Sequence, residues 1–154
     1  MRLWHQSLIR HLDRQRLLGQ HRECCALRGH GWGKKHSVVN YVFAHPFSWL
    51  FCYHMLVMNE MERRGYKVDT AWKIHTYRGK DLVYSYAGTD FAEHDFPYAL
   101  SRFVAAQKTV SPIIYPEHTD AYLKACLENL EQKGANLIGT SPQEELIKLA
   151  LKGQ

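Results

Sequence analysis

The chain has 154 residues, of which 45% are apolar, 12% aromatic and 23% charged. That suffices for one domain with a modest core, is short for two, and is too apolar for a disordered chain. Lys and Arg total 20 against 15 Asp and Glu, a net charge of +5 with a pI near 9.0, which suits an anionic partner such as nucleic acid or an acidic membrane surface.

The first residues, Met1-Arg2-Leu3-Trp4-His5, lack the apolar run of a signal peptide. Asp13 is a candidate cap for a helix over 14–28, with Gly29 as its stop. On that helix Leu17, Leu18, Cys24, Cys25 and Leu27 gather on one side at about 100° per residue. Gln15, Gly19 and Arg22 share another, with Arg16, Gln20 and Glu23 beside them. Gly19 costs up to about 1 kcal/mol against Ala inside a helix, a cost that suggests close approach by another backbone or a ligand. Three glycines alternating with bulky residues make 29–36 a loop. Its glycines, with Lys34, Lys35 and His36, can hold a phosphodiester backbone through N–H groups and charge. Trp32 has two readings: stacking on a base, or folding onto the core.

The next helix is expected over 46–64, stopped by Gly65, with Phe47, Leu50, Phe51, Met55, Leu56, Val57, Met58 and Met61 filling the core. The stretch 47–61 is interrupted by His54 and Asn59-Glu60, too short and polar for a transmembrane span. A short strand is expected at 82–86 and a helix at 97–107. A further helix opens at Pro116-Glu117-His118 and runs to 133, stopped by Gly134. Ser141-Pro142-Gln143-Glu144 starts a last helix. The expected fold is mainly α: a compact single domain over 1–154 of about four helices with long loops, including a C-terminal helical extension at 135–154. Cys24 and Cys25 are adjacent, Cys52 and Cys126 lie alone in apolar stretches, and no C-x-x-C pair occurs. Reduced thiols in a soluble, cytoplasmic protein are therefore expected.

Ten histidines raise the question of a metal. No H-E-x-x-H occurs, and no two histidines sit at i, i+4 on a clear helix, so no metal or other cofactor is expected. On position alone Glu23 and Arg22 read as solvated charges.

The run Leu12-Asp13-Arg14-Gln15-Arg16-Leu17-Leu18-Gly19-Gln20-His21-Arg22-Glu23 resembles the first helix of the pyrimidine dimer DNA glycosylases, the phage endonuclease V-like family. The likeness extends through Gly33-Lys34-Lys35-His36, the second helix with Arg64-Gly65-Tyr66, and Pro116-Glu117-His118 to Gly134, about half the chain. The resemblance implies a compact helical repair enzyme, a DNA glycosylase with AP lyase activity. It implies action on damaged duplex DNA, UV dimers or abasic sites, as a monomer near the nucleoid. In such chemistry the α-amine of the chain attacks C1′, and a neighbouring carboxylate stabilises charge and moves protons. An α-amine, with an ordinary pKa of about 7.7–8.0, is nucleophilic near neutral pH. The resemblance makes Glu23 the catalytic glutamate and places Gln15 and Arg22 in the active site. If Arg2 is the arginine that follows the family's nucleophile, Met1 itself falls in the nucleophile position. Arg2, Arg22, Lys34, Lys35 and His36 would then hold phosphates. The family's arginine three residues after the glutamate is here Ala26, with Arg28 as a candidate substitute. The alternative is a non-catalytic basic module that binds nucleic acid or a protein, with Glu23 as an ordinary ion-pair partner.

Overall fold

The computed structural model describes residues 2–35, 38–82 and 113–138. The described residues are mainly helical, with no strand among them. Three α-helices, α1 (Arg14–Arg28), α2 (Phe47–Arg63) and α3 (Asp120–Gln132), alternate with short 3-10 turns at Gln6–His11, Asn40–Ala44 and Thr70–Lys73. Most of the strand expected at 82–86, the helix at 97–107 and the last helix fall outside the described residues.

α1 begins and ends where the sequence places it. The Asp13 carboxylate accepts from the Arg16 N–H at 2.9 Å, covering one of the donors a helix start leaves free. α2 starts at Phe47 with Pro46 as its cap, one residue later than expected, and turns out at Gly65 with φ +86°, a left-handed conformation that favours glycine. The third helix starts four residues later than expected. Pro116, Glu117 and His118 form a turn ahead of it, and Thr119 caps it by accepting from the Tyr122 N–H. The hydroxyl there offers a cap that proline and glutamate do not.

α1 packs on α2, and the 3-10 turns at Gln6–His11 and Asn40–Ala44 pack on α2 as well. Leu17, Cys24 and Leu27 of α1 meet Leu50, Cys52, Tyr53 and Val57 of α2 in one core, which Leu123, Cys126, Leu127 and Leu130 of α3 complete. Burying each such side chain stabilises by about 1.5–3 kcal/mol. All four cysteines are free. No helix among the described residues is long and apolar enough to cross a membrane.

Two ends are tied by arginines. Glu60, nearly buried, accepts from Arg63 and Arg64; burial alone would raise its pKa, but these bonds and charges hold it below the usual carboxylate range. Arg64 then reaches the Leu12 and Arg10 carbonyls at 2.7 and 3.1 Å, fastening the first turn to the end of α2. At the other end, Arg78 donates to the Arg28 and Gly29 carbonyls, satisfying acceptors that a helix C-terminus exposes.

Candidate active site

The start of the chain lies along α1 and is held there by hydrogen bonds. The Arg2 amide donates to Glu23 Oε2 at 2.7 Å. The Gln20 side-chain amide donates to the Arg2 carbonyl at 2.9 Å and accepts from the Trp4 N–H at 2.7 Å. Tyr53 of α2, fully buried, places its hydroxyl 2.7 Å from the Trp4 carbonyl and 2.9 Å from Gln20 Oε1. Tyr122 of α3 donates to the Leu3 carbonyl. The Gln6 N–H reaches His118 Nδ1 at 3.1 Å. His118 is neutral: burial, then the neighbouring His5, push its pKa down to about 3.

Gln20 corrects the expected polar face. It is 1% exposed and points at the N-terminal segment, not at solvent. Glu23 is half-buried; Gln15 and Arg22 of the same helix are exposed. Gly19 corrects another expectation, since no other backbone approaches it. Among the described residues, a Cβ there would meet only the Arg22 guanidinium, at 3.7 Å. The structure therefore brings Arg2 to Glu23 through its backbone. The Arg2 guanidinium lies 5.7 Å from the centre of the Trp4 ring. Met1 and His36 lie outside the described residues.

The loop after α1 is tighter than a phosphate cradle. The N–H groups of Gly29, Gly31, Trp32 and Lys34 all bond carbonyls within the turn or the helix end, so they are not offered to a phosphate. Gly31 is required by close approach: a Cβ would sit 2.7 Å from the Ala26 carbonyl oxygen. Lys34 and Lys35 remain exposed and supply charge alone. Of the two readings of Trp32, the structure favours the core. Its ring packs edge-on against Phe43 and Phe47, each at 5.0 Å.

Sequence reasoning missed a cluster on the other side of α1. His21 and Cys25 stand at i, i+4 and face His54 of α2, with ligand atoms within 4.8 Å of one another, a set that could hold a metal ion. A search for paired histidines passes over a His-x-x-x-Cys pair, and His54 joins it only in the fold. Protons order the cluster. Arg28 Nη1 lies 2.8 Å from His54 Nδ1, and a guanidinium can only donate. His54 therefore carries its own proton on Nε2, 2.8 Å from His21 Nδ1. His21 in turn carries its proton on Nε2, 3.8 Å from Cys25 Sγ. Each imidazole lone pair is already accepting. Burial foremost, then the Arg28 charge, holds His21 and His54 below the usual imidazole range, and burial pushes the Cys25 thiol up to about 12.

Arg28 itself is 0% exposed. Besides His54 it donates to the Trp72, Ile74 and Tyr77 carbonyls at 2.7, 2.9 and 3.0 Å, between the rings of Phe51 and Trp72. Burial lowers its pKa to about 10, which still leaves it charged at neutral pH. It is a structural centre, buried away from the exposed face on which Ala26 lies.

The stretch that carries α1, the glycine loop and α2 is also where the chain matches a known family. The model of the family described as pyrimidine dimer DNA glycosylase matches residues 1–74. No curated protein and no solved structure matches the chain.

Proposed function

From a chain whose residues 1–74 match the model of the pyrimidine dimer DNA glycosylase family, we propose a DNA repair glycosylase with AP lyase activity, in which the Met1 α-amine is the nucleophile and Glu23 its acid–base partner. The carrying observation is the 2.7 Å bond from the Arg2 amide to Glu23 Oε2. Bond lengths keep the amine of the preceding residue within about 4 Å of that amide nitrogen, so the nucleophile and the carboxylate share one neighbourhood.

The reaction follows from these two groups. The neutral amine attacks C1′ of the damaged nucleotide, and the C1′–N bond to the base breaks with its electron pair leaving on the base. Sugar-ring opening gives an imine between the amine and C1′, with a proton passed to the ring oxygen. Loss of a C2′ proton then breaks the C3′–O bond, and the 3′ phosphate leaves. Hydrolysis of the imine returns the amine. Glu23 stabilises the cationic sugar and carries these protons. The exposed Gln15 and Arg22 flank Gly19, and Lys34 and Lys35 add phosphate contacts at the end of α1. UV pyrimidine dimers are the proposed lesion, in duplex DNA, with abasic sites as a second substrate.

Borohydride trapping tests this reading. Tag-free protein is incubated with UV-irradiated, abasic and undamaged duplexes, then reduced. A covalent complex mapped to the Met1 amine on the UV and abasic duplexes is expected, and Glu23→Gln is expected to lower trapping about 100-fold or more. Salt-dependent binding of all three duplexes with no trapping would leave a non-catalytic module.

A further inference from the structure

We propose that Gln20 is the positioning residue of this site, holding the start of the chain against Glu23 by acting as a strand partner to the Arg2–Trp4 backbone. The inference rests on the amine mechanism for its consequence, and on hydrogen-bond geometry for its substance.

An extended segment presents alternate N–H and C=O groups to one side. Gln20 meets two of them, donating to the Arg2 carbonyl and accepting from the Trp4 N–H. Glu23 meets the next group toward the N-terminus, the Arg2 N–H. Residues 20 and 23 are neighbours on one helix face. The clamp and the carboxylate thus ride on the same turn of α1, so their spacing is that of the helix itself. This ties three successive backbone groups to one rigid body and removes the freedom that a chain terminus ordinarily has.

The residue type follows from the job. The position is buried and needs a donor and an acceptor at once, without charge. An ionised glutamate accepts only, and its burial is costly. The Trp4 N–H, which only donates, and the Arg2 carbonyl, which only accepts, fix which end of the amide is oxygen. Gln20 touches neither substrate nor reacting atoms in this scheme; it acts through the placement of the chain.

The test compares Gln20→Ala, Gln20→Glu, Glu23→Gln and the Gln20→Ala/Glu23→Gln double variant in the full chain. The Arg2 amide proton resonance of the free protein reports the bond to Glu23 with no DNA present. It is expected to move in Glu23→Gln and to move equally in Gln20→Ala. Imine trapping on an abasic duplex is expected to fall about 100-fold in Gln20→Ala, as for a reacting group displaced by about 1 Å, with the DNA Kd unchanged. The double variant is expected to trap no worse than the poorer single one, since both act on one apposition. An unmoved Arg2 resonance with full trapping in folded Gln20→Ala overturns the proposal, as do multiplying effects in the double variant. If Gln20→Ala does not fold, Gln20→Glu decides: it keeps the acceptor for Trp4 and loses the donor to Arg2, so unchanged trapping overturns the role. If the wild-type chain traps nothing, the lyase reading fails, and the Arg2 resonance alone still decides whether Gln20 positions the terminus.

Discussion

Both sides of α1 carry ionisable groups close together, and they differ in how their hydrogen bonds are spent. On one side His21, Cys25 and His54 form the denser cluster. Its protons run in one direction from Arg28, and every imidazole lone pair is occupied; His54 is buried, and His21 and Cys25 are half-buried. On the other side the half-buried Glu23 holds one backbone N–H, and a Cβ on Gly19 one turn before it would meet, among the described residues, only the Arg22 guanidinium. Density of potential ligands is therefore a poor guide to chemistry in this fold. Residual valence beside exposed side chains is the better one.

The comparison can be broken most forcefully at Arg28. Arg28→Met is expected to cost about 3–5 kcal/mol in denaturant unfolding, because it strands three carbonyls and His54 in the interior. A loss under about 1 kcal/mol would mean that the closed side is not closed. Acid probes the buried imidazoles more gradually, His54 in the cluster and His118 beneath the N-terminal segment. The folded-state pKa values of His54 and His118 lie below the unfolded value of about 6.5. Their contribution is thus fully present above about pH 6.5 and lost as pH falls below it, by about 1.4 kcal/mol per pH unit for each group. For His118 the loss continues down to about pH 3. Unfolding curves from pH 7.5 to 4 check the slope; a flat profile would place charged imidazoles in the core.

The Glu23 side sharpens the contrast with a gain. Gly19→Ala meets only a flexible guanidinium tip, at 3.7 Å, so thermal unfolding should show stabilisation of about 0.5–1 kcal/mol. If substrate passes over that face, duplex affinity falls in the same variant. The smallest expected effect is none: cobalt(II) titrated into the reduced protein should give no thiolate-to-metal absorption band from Cys25. A stoichiometric band lost in Cys25→Ser would show that Arg28 yields its hold on His54 and that the cluster opens to metal.

Much of this arrangement was legible in the residues. Asp13 and Gly29 mark α1, and Gly65 marks the end of α2, because caps and left-handed turns are local chemistry. Glu23 was legible only through resemblance; a lone glutamate on a helix carries no local mark. Gln20 was misread because a helical wheel assigns polar residues to solvent, while its partners are backbone groups 16 and 18 residues away. Arg28 was misread for the same reason: carbonyls 44 to 49 residues further on have no signature in composition or period. In the glycine loop, spacing alone does not show that the N–H groups of Gly29, Gly31, Trp32 and Lys34 go to carbonyls of its own turn or the helix end.

The anchoring of the N-terminal segment bears on the order in which the protein is made. The Gln6 amide and the Leu3 carbonyl are made well before their partners: His118 and Tyr122, which bond them, come 112 and 119 residues later. The nascent chain can build α1 and α2 early, but it lacks the anchors His118 and Tyr122 until the segment that carries them has been made. The full anchoring of the segment that meets Glu23 thus waits for sequence still untranslated.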